Sequence, residues 1–232
     1  MSDDYHRIAP WYDMLLGPFI RTLRPVGFRL FQPGRNANVL EVGCGTGMQL
    51  ALFRARGCRI TGIDLSTAML RAARTRLDRG TLVCRGDAAC LPYPERAFDL
   101  VMATLVLHEM DPAVRSAVVA DMLRVTALHG RLGIIDYHPQ SRSSLNGVVA
   151  NNIIRGIERA AGRRHYANFR HFRAAGGIPG LAVQHGLQIE RCQRISGGSI
   201  GVYRLRRIAP GKDPEMKKSR KIKGNLHAPL IR

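Results

Sequence analysis

The sequence predicts an α/β fold: a doubly wound, mostly parallel sheet that ends in an antiparallel hairpin. Three observations carry this. Short apolar, β-prone runs alternate with helical patterns from residue 38 to residue 136, a glycine-rich loop follows the first run, and two alternating strands come last.

Each element has its own signal. Strands are expected near 38–42, 58–63, 81–84, 98–103 and 131–136, with helices near 47–56, 66–78 and 112–127 between them. Ser66 is placed to cap the second of these helices, and Asp111 followed by Pro112 starts the third. From 141 to 162, Leu145, Val148, Val149, Ile153 and Ile157 mark one helical face. A basic, His-rich and aromatic stretch from 163 to 175 follows, stopped by Gly176, Gly177 and Pro179. Residues 187–194 and 199–207 alternate around Ser196, Gly197 and Gly198 as a hairpin.

Ahead of the core, residues 5–16 carry Ile8, Trp11, Tyr12 and Leu15 at helical spacing, with Pro10 shortening the helix. Residues 18–31 form a basic amphipathic segment. It reads either as a helix covering the sheet or as a membrane-surface helix.

At 232 residues and 45% hydrophobic, the chain can bury one full core. We divide it into cover helices (1–35), an α/β core (36–137), a helical insertion (138–185), the terminal hairpin (186–208) and a basic tail (209–232). Net charge is +19, unevenly spread: +11 before position 204 with no lysine, and +8 from Arg204 onward, where all five lysines lie. The tail has too few large apolar residues to offset the entropy of ordering and is expected to be disordered. It is either a solubilising end or an electrostatic tether to anionic lipid or nucleic acid. Five scattered cysteines without a CxxC pair, and no apolar signal segment, imply a cytoplasmic protein with free thiols. No apolar run approaches the roughly 18–20 residues of a membrane span, so membrane association would be peripheral, at the inner surface.

The most specific signal is VLEVGCGTG, residues 39–47. Gly43, Gly45 and Gly47 let the backbone turn at the strand end and approach a ligand, and the helix behind directs its first amides there. A dinucleotide fingerprint would need its third glycine at position 48, which is Met48. The spacing GxGxG preceded by Glu41 instead resembles the first motif of class I S-adenosylmethionine-dependent methyltransferases. ITGIDL (60–65), RGDA (85–88), FDLVMATLVLHEM (98–110) and GRLGIIDY (130–137) resemble the family's later segments, in order.

That resemblance implies a seven-stranded Rossmann-like methyltransferase fold with S-adenosylmethionine as cofactor. Glu41 would lie near the cofactor's amino group, Asp64 at the ribose hydroxyls, and Asp87 and Ala88 by the adenine. Gly43, Cys44, Gly45, Gly47, Leu65, Met69 and Thr104 complete the implied cofactor set. YHRIAPWYD (5–13), followed by LLGP, resembles the start of two groups: the ubiquinone and menaquinone biosynthesis C-methyltransferases and the bacterial phosphatidylethanolamine N-methyltransferases. By analogy Tyr12 closes over the cofactor and Tyr5 over the acceptor. The expected acceptor is a phospholipid headgroup amine or a quinone precursor.

Tyr137 and Tyr166, with His138, His165, Phe169 and His171, are candidates for the acceptor pocket. His108, just after the fourth strand, is the candidate general base. No pair of histidines or cysteines has ligand spacing on one element, so no metal is expected. A nucleic-acid methyltransferase is the enzymatic rival, motivated by charge, but 104–107 reads TLVL where base-modifying enzymes carry NPPY-like motifs. A non-catalytic protein of the same fold, binding an anionic partner through its tail, is the other alternative.

Overall fold

The computed structural model describes residues 23–78, 80–139 and 145–208. Tyr5, Tyr12, most of the expected cover segment and the whole basic tail lie outside the described residues.

The sheet starts with β1 (Asn38–Val42), whose last four residues are buried on both faces, as an interior parallel strand requires. It is flanked by β2 (Arg59–Asp64) and β4 (Phe98–Thr104), both parallel to it. β3 (Leu82–Arg85) adds outside β2 and β5 (Thr126–Tyr137) outside β4, again parallel. β6 (Leu187–Ile195) and β7 (Ile200–Arg207) pair with each other, and β7 runs antiparallel to β5. The order is β3-β2-β1-β4-β5-β7-β6, a seven-stranded sheet. The winding direction reverses between β1 and β4. Doubly wound folds bind ligands in the crevice outside the carboxyl ends of the strands at that point.

Helices cover both faces. α1 (Leu23–Phe31) buries Leu23, Val26 and Phe31 against the sheet. The fit is close: a Cβ on Gly133 of β5 would sit 2.7 Å from the Phe31 ring, and one on Gly27 would sit 2.8 Å from Ile135. The described part of the basic amphipathic segment is therefore a cover helix. α2 (Met48–Arg54) follows the glycine loop, and α3 (Thr67–Arg76) begins at Ser66, whose Oγ accepts from the Met69 amide at 3.3 Å.

α4 (Pro112–Val125) starts at Pro112 as expected, but Asp111 does not cap it with its side chain; that carboxylate pairs with Arg164 instead. After β5 come α5 (Leu145–Ala160) and α6 (Arg163–Ala174), then α7 (Gly177–Gln184).

Two boundaries differ from the sequence reading. β5 begins at Thr126 and not near 131, with a register shift opposite Phe98 and Leu100 that leaves Leu128 exposed. Thr126 ends the preceding helix by donating its hydroxyl to Met122 O at 2.7 Å, then turns extended. α7 was not expected, because its Gly and Pro read as breakers. Pro179 falls in its first turn, where the missing N–H is no loss.

Candidate functional site

At the carboxyl end of β1 the chain turns through Gly43, Gly45 and Gly47, all at positive φ (65°, 52° and 73°). Two of these positions show why glycine is needed. A Cβ on Gly43 would lie 2.8 Å from Val106, so the loops after β1 and β4 touch; one on Gly45 would meet no described atom within 4 Å. The Gly45 backbone therefore borders open space at the sheet's switch point.

Asp64, at the end of β2, shapes this loop. Its Oδ2 accepts from the Gly45 amide and its Oδ1 from the Ser66 amide, each at 2.8 Å. Next to it Leu65 is 46% exposed. Cys44 points inward: a Cβ on Gly62 would meet its Sγ at 2.8 Å. Burial pushes the Cys44 thiol up, and the nearby Glu41 and Asp64 carboxylates add to this, so it is not a reactive group.

Beyond β3, Asp87 is exposed and accepts from the Ala89 amide at 2.9 Å, with Ala88 half-buried beside it. Met69 is buried at the start of α3.

Glu41 is 2% exposed. Its Oε1 accepts from the Thr104 hydroxyl at 3.1 Å, while its Oε2 has no hydrogen-bond partner among the described residues. Gln49, on the first turn of α2 and 3% exposed, likewise has neither amide atom satisfied. Arg24 of α1 is buried and acts on Glu41 electrostatically. Burial raises the Glu41 carboxyl to about 8, against the opposing pulls of Thr104 and Arg24. Orphaned buried polar atoms beside a strained glycine loop are what a ligand with an ammonium and a carboxylate would satisfy. Sequence reading missed Arg24 and Gln49. Arg24 sits in a segment read only as amphipathic cover, and nothing separates Gln49 from any surface glutamine.

On the far side of β4, Leu105 adopts φ 53° and its amide donates to Ile135 O at 2.7 Å. The following turn, Leu107–Glu109, is held by Asp136 of β5, which is fully buried. Asp136 accepts from the Leu107 and His108 amides (3.1 and 3.3 Å), and its Oδ1 lies 2.8 Å from His108 Nδ1. Arg115, also buried, donates to Leu107 O and Met110 O at 2.7 Å, and Asn168 donates to Glu109 O at 2.7 Å.

His108 itself is 2% exposed, with Nε2 facing Glu158 Oε2 at 3.6 Å and Glu109 at 3.9 Å. Burial alone would push its imidazole down. Asp136, Glu109 and Glu158 outweigh that and raise it to about 9. His108, the candidate general base, is thus an enclosed ring whose Nδ1 is held by Asp136 and whose Nε2 faces Glu158. Glu158 is hydrogen-bonded to Tyr137 Oη at 2.8 Å and to His165 Nε2 at 2.5 Å. Tyr137 is thereby an interior residue. Tyr166 does line a cleft, of about 580 Å³, together with Pro139, Arg155, Phe169, Arg170 and Arg173. That cleft lies on the α5–α6 side and includes no residue of the glycine loop.

Residues 39–130 match the family described as "Methyltransferase domain". The chain is 36% identical over 106 residues to the demethylmenaquinone methyltransferase of Thermobifida fusca, covering 43% of each chain. It is 34% identical over 119 residues to the phosphatidylethanolamine N-methyltransferase of Cereibacter sphaeroides, covering 49% of this chain and 57% of that protein. The match thus spans about half the length of these curated relatives. Among solved structures, a SAM-dependent methyltransferase from Aquifex aeolicus superposes with a TM-score of 0.58 at 16% identity, covering 78% of this chain and 88% of that one. Residues 39–130 thus match a methyltransferase domain, and the fold is similar to that of S-adenosylmethionine-dependent methyltransferases.

Proposed function

We propose that the protein transfers a methyl group from S-adenosylmethionine to a small or amphiphilic acceptor, most favourably an amphiphile with an anionic headgroup. The observation that carries the donor half is the loop geometry: Gly45 bordering open space while Asp64 braces it, with the unsatisfied Glu41 Oε2 below. In this reading Glu41 and Arg24 take the ammonium and carboxylate of the cofactor's amino-acid end. Asp64 takes ribose hydroxyls, Leu65 packs on the adenosine, and Asp87 with Ala88 borders the adenine. Gly43, Gly45 and Gly47 supply close backbone approach, and the Thr104 hydroxyl orients Glu41.

Bound there, the cofactor supplies a sulfonium methyl group with a neutral leaving group, so the chain's tasks are alignment and exclusion of water. The Leu105–Met110 turn, fixed by Asp136, Arg115 and Asn168, forms a rigid wall on the acceptor side. His108 is proposed as a positioning residue within that wall.

The acceptor half rests on the α5–α6 cleft. Arg155, Arg170 and Arg173 border it, and none of its described lining residues is acidic, which favours an anionic group over a neutral quinone ring. Tyr166 and Phe169 supply the apolar surface an amphiphile needs. No helix among the described residues is long and apolar enough to cross a membrane. A lipid acceptor would be taken from the bilayer surface. The test is incubation with methyl-labelled S-adenosylmethionine and a cell extract, then separation into lipid, quinone, nucleic-acid and soluble fractions. Label in the phospholipid fraction is expected. Label confined to nucleic acid would overturn the acceptor assignment.

A further inference from the structure

We propose that His108 Nε2, Glu158 Oε2 and His165 Nε2 form a binding site for a transition-metal dication of the zinc class. The three ligand atoms come from three elements, the turn after β4, α5 and α6, and all lie within 4.8 Å of one another. Two imidazoles and one carboxylate suit zinc-type ions better than magnesium or calcium, which prefer oxygen donors alone. Three protein ligands leave a fourth position for water or an acceptor oxygen.

The outer contacts are those a metal site needs. The Asp136 carboxylate holds His108 Nδ1 at 2.8 Å, which fixes the ring and turns Nε2 toward the cluster. The Tyr137 hydroxyl occupies Glu158 Oε1 at 2.8 Å, leaving Oε2 as the ligating atom. Tyr137, Phe169 and Phe172 surround the His108 ring, with centroids 4.5, 6.2 and 6.5 Å away, and wall the site from bulk water. Three carboxylates, from Glu109, Asp136 and Glu158, act on this volume. Among the described residues, Arg115 is the guanidinium tied electrostatically to Asp136. The local field therefore favours a cation.

The spacing needs one adjustment. Bonds of about 2.0–2.1 Å in a tetrahedron put ligand atoms roughly 3.3 Å apart. His108 Nε2 and Glu158 Oε2, at 3.6 Å, are close to that. His165 Nε2, at 2.5 Å from Glu158, is hydrogen-bonded and must swing out by just under an ångström, about 0.8 Å from those two figures. Its side chain is 19% exposed, the most accessible of the three, so it can make that movement and marks the route by which an ion enters.

This site stands on ligand geometry, independently of the methyl-transfer reading, and metal binding tests it directly. The full chain, freed of metal by chelator dialysis, is titrated with Co²⁺ and followed by visible absorption. One equivalent should develop the strong absorption of four- or five-coordinate cobalt, without a thiolate charge-transfer band, and Zn²⁺ should displace it. Tyr137→Phe should weaken binding by about 10- to 100-fold. His165→Ala should abolish the absorption while circular dichroism stays unchanged; if it does not fold, the isosteric Glu158→Gln serves the same purpose. A weak six-coordinate spectrum in the wild type, a thiolate band, or equal affinity in the ligand variant would overturn the proposal.

Discussion

The Gly45 amide donates to Asp64 Oδ2 across 2.8 Å, joining the loops at the ends of two adjacent parallel strands. One carboxylate thus shapes the glycine loop from the end of the neighbouring strand. Asp64→Ala should weaken S-adenosylmethionine binding by about 1–3 kcal/mol through lost hydrogen bonds. Calorimetry checks this, and unchanged affinity would remove Asp64 from the donor site.

Gly45→Ala separates fold from binding. The new methyl meets no described protein atom, so the cost is the positive φ alone, about 1–2 kcal/mol of stability. Because the methyl enters the space assigned to the ligand, cofactor binding should fall far more than stability does. Parallel thermal melts and cofactor titrations measure the two effects; equal losses would make the loop merely structural.

Glu41 gives the expected pH dependence. Its folded carboxyl, raised to about 8 from an ordinary 4.5, holds its proton where the unfolded chain has lost it. The folded state therefore binds more protons between those values, and this group's contribution makes stability fall as pH rises through that window. Glu41→Gln should flatten that part of the stability profile. A ligand ammonium beside Glu41 favours its ionised form, so cofactor binding below pH 8 should release a proton. Calorimetry at fixed pH in buffers of different ionisation heat reads that release, and none would place the ammonium elsewhere.

Gly133→Ala tests the packing of α1. With the Phe31 ring 2.7 Å from the added atom, overpacking should cost about 1–3 kcal/mol in denaturant unfolding. A neutral result would mean that α1 shifts freely over the sheet.

The parallel core was legible because its period, caps and glycine spacing are local signals: β1, the Ser66 cap and the hairpin strands fall where pattern alone puts them. Interior polar partnerships were not. Nothing in the sequence pairs Asp136 with His108, and both lie in segments read for other reasons. Tyr137 looked like a pocket aromatic, yet its hydroxyl donates to the buried Glu158, 21 positions away. Pro179 looked like a breaker because the same residue stops a helix in its interior and suits one in its first turn.

The most direct test of the donor assignment is a calorimetric titration of the wild-type protein with S-adenosylmethionine. Saturable one-site binding is expected, weakened by Asp64→Ala and largely removed by Gly45→Ala. An absence of saturable binding by the folded wild-type protein would contradict it.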